Sequence, residues 1–345
     1  MNSPVQLALS WGDFLLRRRL KHLIVHVTNH CNFRCAHCFV DFETKKRDLP
    51  KETYFRLAED VGDLFWLDIG GGEPFLRKDL ADIISAFNSR VVHIPSNGSL
   101  LPQMLTQLAE IRRRKPEREI LIGLSVDGLA ETHDRLRGEP GSYEQVWKAY
   151  EAIRELDPKI NIKMTTVITN KTIDDVLPLM DIVKERQADF HSVILLRGKT
   201  PDPDVMLPPL PTLRKLGPEI FKRLERYRYG RSPFAAHILR NYHRFLWNIS
   251  LDILERETQV IPCYAGRSHM VVWADGNVSS CEMLGGVGNI ADESFRDVLA
   301  GPRLKEQVRS IRNNECHCTH NCAMLTSILF NPANLPQLVH QTVHS

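Results

Sequence analysis

The chain has 345 residues, enough for two ordinary domains or for one barrel with an appendage. Its 43% hydrophobic and 25% charged residues are typical of a globular protein and exclude a disordered or fibrous chain. The net charge of +3 is too balanced for a dedicated nucleic-acid-binding protein. No apolar run reaches the ~20 residues that span a bilayer, and the N-terminal arginines follow an apolar stretch, unlike those of a secretory signal. We therefore expect a cytoplasmic protein with neither membrane nor nucleic acid as a partner.

Strand-like and helix-like segments alternate through the first 200 residues. Apolar runs rich in β-branched residues predict six strands, at 22–29, 64–69, 91–95, 119–126, 159–168 and 190–196. Apolar residues at helical spacing predict helices between them, at 50–62, 77–89, 102–114, 142–156 and 172–186. Successive strands lie roughly 30 residues apart, the length of a βαβ unit, so we expect a parallel sheet covered by helices.

The residues that follow the predicted strands favour a barrel over an open sheet. Glycine, polar or cysteine residues come directly after almost every strand, at 29–38, 70–74, 96–98, 125–128, 170 and 197. The carboxyl ends of all strands in a barrel converge on the face that carries the site, whereas one switch point dominates a doubly wound sheet. The predicted fold class is therefore α/β, a partial (β/α)6 TIM-type barrel with a small C-terminal cysteine-rich module of a β-hairpin and helices.

Composition shifts divide the chain into four segments. We predict an N-terminal helical extension at 1–21, the barrel at 22–199, a linker with a helical insert at 200–256, and the cysteine-rich module at 257–345. Five prolines between residues 201 and 211 mark the linker. The helical stretch that follows is rich in Arg and aromatic residues. It suits contact with nucleic acid or with an acidic substrate, but such a stretch is more often a solvated face whose aromatic residues pack inward.

Eight cysteines in a reducing compartment call for an explanation other than disulfides. They form two groups, one of three near the start of the chain and one of five in its last quarter, with none between residues 39 and 262. Two separate metal sites are the natural hypothesis. The predicted ligands are Cys31, Cys35, Cys38, Cys263, Cys281, Cys316, Cys318 and Cys322.

The first group is a C-x3-C-x2-C array directly after the first strand. Three thiolates on one tight loop can hold three corners of a cubane iron–sulfur cluster and leave its fourth iron open. Zinc is an alternative, with His30 or His37 as the fourth ligand. A third interpretation is a trio of buried thiols without a metal.

Further motifs accompany the array, in chain order and about one per strand. They are Phe39 beside the last cysteine, Gly71-Gly72-Glu73-Pro74, Ser96-Asn97-Gly98, Ser125-Val126-Asp127-Gly128, the run from His133 to Gly138, and Arg197. With this set of motifs, residues 22–197 resemble the radical S-adenosylmethionine (SAM) superfamily. Each motif alone also has an ordinary structural interpretation, as a turn, a helix cap or a surface ion pair.

The resemblance implies a mechanism and a set of cofactors. A 4Fe–4S cluster on the first array would bind SAM and cleave it reductively to a 5′-deoxyadenosyl radical, which abstracts a hydrogen atom from the substrate. The one electron would come from a reductant such as flavodoxin or ferredoxin. The residues expected to contact SAM are Gly71, Gly72, Glu73, Pro74, Asn97, Ser125, Asp127 and Arg197.

The second group resembles the auxiliary-cluster module called SPASM, or Twitch in its short form. Cys263 and Cys281 flank a predicted hairpin in a C-x12-G-x4-C pattern, and three more cysteines follow in CHCTHNC. This implies a second iron–sulfur cluster, most simply 4Fe–4S, with four ligands and one thiol of Cys316, Cys318 and Cys322 left over. A zinc site with His317 or His320 is the alternative.

The reaction itself is less determined by the sequence. The short module predicts a radical SAM oxidoreductase or lyase acting on a small molecule such as a sugar or nucleoside, with the auxiliary cluster as electron acceptor or substrate anchor. One alternative is a maturase that modifies a peptide or protein. Another is a non-catalytic iron–sulfur or zinc protein, which would not need the SAM motifs. No residue is identified as a general base.

Overall fold

The computed structural model describes residues 20–40, 47–229 and 233–339. The helical extension predicted at 1–21 falls almost entirely on residues 1–19, which lie outside this part of the chain. Within the described residues, none of the helices combines the length and the apolar character needed to cross a membrane.

Six strands form the parallel sheet that the sequence predicts. Their bounds are β1 (His22–Thr28), β2 (Asp63–Gly71), β3 (Asn88–Ser96), β4 (Glu119–Ser125), β5 (Asn161–Ile168) and β6 (Phe190–Leu195). Each strand pairs in parallel with the next one in the chain, so the strand order never reverses. An unreversed order belongs to a barrel and not to a doubly wound sheet, and the prediction of a partial barrel is confirmed; the structure adds that its sheet stays open.

Six helices connect these strands. They are α1 (Lys51–Val61), α2 (Leu80–Ala86), α3 (Leu101–Arg114), α4 (Ala130–Arg137), α5 (Ser142–Leu156) and α6 (Val176–Glu185). Five of them match predicted helices, but α4 does not. The inward face of α4 carries His133 and Arg137 beside a single buried leucine, so the helix lacks the apolar periodicity that a sequence reading relies on.

The strands have two differently occupied faces. One face packs against the helices in the main apolar core, which includes Tyr54, Phe87 and Trp147. The other face lines the inside of the barrel with residues at alternate positions, because successive side chains of a strand point to opposite sides. These interior residues are Ile24, His26, Asp68, Gly70, His93, Pro95, Gly123, Ser125, Lys163, Thr165, Ser192 and Ile194.

The helical stretch predicted after the linker, within 200–256, consists of two helices, α7 (Leu210–Leu224) and α8 (Pro233–Arg256). The chain turns after α7, where Tyr229 has a left-handed backbone with φ of 54°. Of the aromatic residues of α8, Tyr242 and Trp247 are buried, Phe245 is half-buried and Phe234 is exposed. The packing of Tyr242 and Trp247 agrees with the interpretation of the stretch as a solvated face over packed aromatic residues.

The cysteine-rich module contains the predicted hairpin and continues the barrel sheet. Strands β7 (His269–Val272) and β8 (Asn277–Ser279) are antiparallel, and a short β9 (Gly288–Asn289) follows. Strand β7 also pairs in parallel with β1, which extends the sheet to nine strands in the order β6-β5-β4-β3-β2-β1-β7-β8-β9. The sequence suggested a separate appendage, whereas backbone hydrogen bonds join the two parts. The module ends in α9 (Phe295–Ala300), α10 (Pro302–Arg312), α11 (Asn321–Leu329) and α12 (Leu335–Val339).

Candidate metal and cofactor site

The loop that carries the first three cysteines is held against the carboxyl end of β2. The backbone N–H of Gly72 donates to Thr28 O, and that of Glu73 donates to His30 O, each at 2.9 Å. A Cβ atom at Gly72 would lie 1.9 Å from His30 O, and one at Gly71 would lie 2.1 Å from Thr28 O. Only glycine permits this close approach of two backbones. The glycine motif therefore positions the cysteine loop itself.

The three thiols of this loop are spaced more widely than ligands of one metal ion. The tetrahedral sulfur ligands of a zinc ion lie about 3.8 Å apart. Among the described residues, no three of the cysteine sulfur atoms lie within 4.8 Å of one another. Wider spacing suits the corners of a cubane cluster. Burial raises the pKa of Cys31 to about 11, so the site needs a metal or a cation to hold this sulfur as thiolate.

Arg137 supplies a positive charge to this loop. Its Nη1 lies 3.8 Å from Sγ of Cys35, and the guanidinium opposes the rise in the pKa of Cys35 that burial causes. The other end of the same guanidinium contacts the carboxylate of Asp127, which is fully buried. Asp127 Oδ1 accepts from the N–H of Val167 at 2.7 Å, and His37 Nε2 lies 3.3 Å from Oδ2. The contacts of the Asp127 carboxylate are therefore with groups of the protein itself.

A cavity of about 280 Å³ opens beside the cysteine loop, where the ends of the six parallel strands meet. Six of the eight residues predicted to contact SAM line it together with the three cysteines: Gly71, Gly72, Glu73, Asn97, Ser125 and Arg197. Pro74 and Asp127 do not line it. Pro74 is buried at the start of a short 3-10 helix, and the carboxylate of Asp127 faces Arg137.

Glu73 connects the ends of β2 and β3. Its buried carboxylate accepts from the N–H of Asn97 at 2.8 Å, from Ser96 Oγ at 3.0 Å and from the N–H of Phe75 at 3.2 Å. Burial raises the pKa of Glu73 to about 7. The acidic residue of the glycine motif thus orders the Ser96-Asn97-Gly98 segment at the cavity wall.

Arg197 lies on the opposite wall. Its guanidinium stacks on the ring of Phe39, 4.8 Å from the ring centroid. Its Nε atom is buried and has no hydrogen-bond partner within the described residues. A partly buried guanidinium with a free donor is suited to bind a carboxylate.

Four of the five C-terminal cysteines lie together. Cys263, Cys281 and Cys316 belong to one small buried cluster at the base of the hairpin. Beyond the effect of burial, charge on Cys318 and Cys263 raises the pKa of Cys281, and charge on Cys263 raises that of Cys318. Cys322 is different, because it lines the barrel cavity and its charged neighbours are Glu282, Asp68, Arg197 and Lys163. The leftover thiol that the sequence could not identify is thus set apart in space.

Two family patterns match this chain. That of the Radical SAM superfamily matches residues 25–183, and that of the SPASM iron–sulfur cluster-binding domain matches residues 263–323. The chain belongs to the radical SAM superfamily. Its AdoMet-dependent heme synthase relative from Methanosarcina barkeri is 24% identical over 310 residues, 82% of this chain and 83% of that one. The subtilosin biosynthesis protein AlbA of Bacillus subtilis is 22% identical over 86% of this chain and 63% of its own length.

Other curated relatives align with about half of this chain. The molybdenum cofactor biosynthesis protein moc-5 of Caenorhabditis elegans is 26% identical over 52% of this chain, and the aligned part spans 30% of the length of moc-5. Among solved structures, Streptococcus suis SuiB bound to SAM has a TM-score of 0.65 at 18% identity, covering 89% of this chain and 72% of SuiB. Such a likeness shows a shared fold.

A radical SAM domain carries a 4Fe–4S cluster and SAM, and a SPASM domain carries auxiliary iron–sulfur clusters. The donors fit both groups. The loop offers three widely spaced thiols next to Arg137 and an open cavity, and the module offers four clustered thiols. Soft thiolates are the ligands that iron–sulfur clusters require.

Several polar residues of the cavity were not found from the sequence. Asp68, His93 and Lys163 lie in the middle of apolar strands, and their side chains point into the barrel. Asp68 accepts from His93 Nδ1 at 2.5 Å and lies 2.7 Å from His22 Nε2. The sequence did contain a signal for them: each is a polar or charged residue in an otherwise apolar strand, at a position whose side chain points to one particular face. Glu282 gave no such signal, because it follows Cys281 in a loop.

Proposed function

We propose that this chain is a radical SAM enzyme that modifies a side chain of a peptide or protein. The observation that carries the chemistry is the convergence of Cys31, Cys35 and Cys38 on the cavity that Arg197 and Ser125 also line. The peptide substrate, the alternative to a sugar or nucleoside in the sequence prediction, is supported by the relatives. SuiB bound to its precursor peptide SuiA and anSMEcpe bound to AdoMet and a Cp18Cys peptide share this fold, with TM-scores of 0.63 and 0.61. AlbA is named for the biosynthesis of a bacteriocin.

The cysteine loop would hold the 4Fe–4S cluster. When bound, the reduced cluster and SAM supply a 5′-deoxyadenosyl radical, which takes a hydrogen atom from the substrate. Arg137 stabilises the thiolate form of Cys35 through its positive charge. The pair Gly71 and Gly72 keeps the loop against β2, so that the thiols face the cavity and not the solvent.

The walls of the cavity would orient SAM. Arg197 offers a free Nε–H to a carboxylate, and the stacking on Phe39 fixes the direction of the guanidinium. Ser125 and the Asn97 side chain stand at the ends of β4 and β3, where they can bond polar groups of the ligand. We assign Asp127 and Pro74 an indirect part. Asp127 holds Arg137, and Pro74 begins the turn that places Glu73.

The module would hold an auxiliary cluster through Cys263, Cys281, Cys316 and Cys318. An auxiliary cluster can accept an electron from a substrate radical or anchor the substrate. An external one-electron donor such as flavodoxin or ferredoxin is needed to reduce the first cluster. We place the protein in the cytoplasm, whose reducing conditions keep cysteines available as ligands. The barrel is proposed to span 22–199, the insert 200–256 and the module 257–345.

A small-molecule substrate is the second candidate. It is favoured by the AdoMet-dependent heme synthase, which aligns with 82% of this chain and 83% of its own length. The GTP 3′,8-cyclase of Campylobacter jejuni (strain RM1221) aligns with only 51% of this chain. A nucleotide substrate therefore has weaker support than a peptide.

The two candidates differ in what protease treatment does to the substrate. The reconstituted protein, with SAM and dithionite under anaerobic conditions, is mixed with fractions of a cell extract, and 5′-deoxyadenosine is measured by mass spectrometry. A peptide substrate predicts stimulation that disappears after the fraction is digested with protease. Stimulation that survives digestion and passes a small-pore filter contradicts the peptide proposal and favours a small molecule. The Cys35→Ala variant gives the background.

A further inference from the structure

Two cations that line the barrel cavity, Arg197 and Lys163, form no ion pair with a carboxylate of the described part of the chain. Three carboxylates line the same cavity, and each is engaged elsewhere. That of Asp68 contacts two histidines, that of Glu282 lies between two others, and that of Glu73 accepts from backbone N–H groups. We have assigned Arg197 to the carboxylate of SAM, which leaves the ammonium of Lys163 without an assigned partner.

Lys163 lies deeper in the barrel than the residues assigned to SAM. In the register of β4 and β5, Ser125 is paired with Thr165 at the carboxyl end, and Gly123 is paired with Lys163 two residues earlier. Two residues of a strand span about 7 Å. The Cα atom of Lys163 therefore belongs to a second layer of inward-facing residues, below the layer that contains Ser125.

Gly123 leaves space between Lys163 and His93. A Cβ atom at Gly123 would lie 2.6 Å from His93 Nε2 and 3.4 Å from Cε of Lys163. The backbone of Gly123 does not require glycine, because its φ is not positive. A glycine inside a strand often marks a place where a ligand or another backbone comes close. The missing side chain thus opens the barrel interior where the two polar side chains meet.

His93 contributes an unsatisfied acceptor at this place. Its Nδ1 donates to Asp68 Oδ1 at 2.5 Å, because a carboxylate can only accept. Its Nε2 is buried and has no hydrogen-bond partner in residues 20–40, 47–229 and 233–339. Burial and the charge of Lys163 lower the pKa of His93, so the ring is neutral and Nε2 is an acceptor. A buried polar atom without a partner costs stability until a bound molecule satisfies it.

We propose that Lys163 binds a carboxylate of the substrate, while His93 Nε2 accepts a hydrogen bond from an N–H or O–H group of the same molecule. One ammonium balances the single charge of a carboxylate, whereas a phosphate carries up to about two charges at neutral pH. A buried ammonium is costly without a counter-charge, so a bound carboxylate stabilises this layer. The inference rests on the proposed function. It specifies that the peptide presents an acidic side chain or its C-terminus to the second layer of the barrel.

Chemical blocking of carboxylates tests the proposal with the wild-type protein. The extract fraction that stimulates formation of 5′-deoxyadenosine is esterified with methanolic HCl, which converts carboxylic acids to methyl esters and leaves phosphate groups unchanged. We expect the stimulation to fall about tenfold or more, because a charge-assisted hydrogen bond is lost. Mild alkaline hydrolysis of the esters should restore it. Stimulation that is undiminished by esterification overturns the proposal.

The variant Lys163→Met assigns the effect to this residue. Relative to the 5′-deoxyadenosine that each protein forms without the fraction, its stimulation by the untreated fraction should be about tenfold below that of the wild type. It should also respond equally to the untreated and the esterified fraction, which a loss of structure alone would not produce. Lys163→Arg should keep the preference for free carboxylates. Lys159→Met, a change at an exposed lysine just before β5, is the matched control and should behave as the wild type.

A preference of Lys163→Met for the untreated fraction as large as that of the wild type overturns the assignment, because the carboxylate would then be recognised elsewhere. Should Lys163→Met fail to fold, Lys163→Gln and the esterification of the wild-type reaction still decide the matter. Carboxypeptidase identifies the source of the carboxylate: loss of stimulation assigns the C-terminus, and retained stimulation assigns an acidic side chain.

Failure of the proposed function has a different signature. Stimulation that survives protease contradicts the peptide substrate alone, and sensitivity to esterification then still reports the carboxylate. Absence of 5′-deoxyadenosine from the wild-type protein contradicts SAM cleavage and overturns both proposals.

Discussion

Arg137 and Cys35 are in direct contact: Nη1 of the guanidinium lies 3.8 Å from the sulfur, although the two residues are 102 positions apart in the chain. Arg137 comes from α4, a helix that the sequence did not predict, and Cys35 from the loop after β1. The contact connects the metal-binding loop with the buried carboxylate of Asp127 on the far side of the guanidinium.

Removal of Arg137 should destabilise the fold. Arg137→Met leaves Asp127 as an unpaired charge at a fully buried position, and breaking a buried pair costs about 3–5 kcal/mol. The free energy of unfolding from urea titration measures this loss. The double variant Arg137→Met/Asp127→Asn should recover most of the lost stability, because the charge is removed together with its partner. Equal stability of the single and double variants would show that the pair does not compensate the charge of Asp127.

Gly72 should be required for assembly of the first cluster. A Cβ atom there would lie 1.9 Å from His30 O, so Gly72→Ala must push the cysteine loop away from β2. The expected result is loss of about four irons per chain and of SAM cleavage, with the auxiliary cluster retained. Gly285→Ala is the matched control, since an added Cβ at Gly285 meets no atom within 4 Å. Iron analysis of both variants tests this prediction. A wild-type iron content in Gly72→Ala would show that the close approach of Gly72 to His30 is not needed for assembly of the first cluster.

Cys35 should be required for radical formation but not for assembly of the auxiliary cluster in the module. Cys35→Ala removes one of the three loop thiols, and we expect 5′-deoxyadenosine to fall to background while about four irons per chain remain. Electron paramagnetic resonance of the reduced protein should then report the auxiliary cluster alone. If Cys35→Ala still cleaves SAM at a rate near that of the wild type, the cluster does not sit on this loop.

His191 should make the protein less stable in mild acid. Its imidazole is fully buried and bonded to Thr166 Oγ1 at 2.7 Å, and burial lowers the pKa of His191 to about 3. The unfolded chain takes up the proton near pH 6.5 and the folded protein does not, so stability is present above that pH and is lost as the pH falls. Between pH 7 and pH 5 the loss is about 2 kcal/mol.

The variant His191→Gln isolates this effect. Glutamine can donate a hydrogen bond to Thr166 but does not titrate. Between pH 7 and pH 5 the unfolding free energy of the variant should therefore fall by about 2 kcal/mol less than that of the wild type. Urea titrations at the two pH values give the comparison. Parallel pH profiles of the two proteins would mean that His191 is protonated in the folded state.

Much of the barrel could be predicted because its signals are local. The alternation of apolar strands and amphipathic helices located all six parallel strands to within a few residues, and the glycine and polar motifs indicated the edge of the sheet where the cavity lies. The hairpin between Cys263 and Cys281 was equally local, because its turn residues lie between its two strands. Helix α4 was missed because its buried side chains are polar and charged.

The sequence by itself determined the strand order, the two cysteine groups and the superfamily, because each depends on the type and spacing of neighbouring residues. Only the tertiary structure decided that β7 pairs with β1, that Asp127 is occupied by Arg137, and that Cys322 stands apart from the other four module cysteines. These relationships join residues up to 247 positions apart in the chain. Strand pairing and packing of the whole chain set the distances between them, and no local pattern encodes such distances.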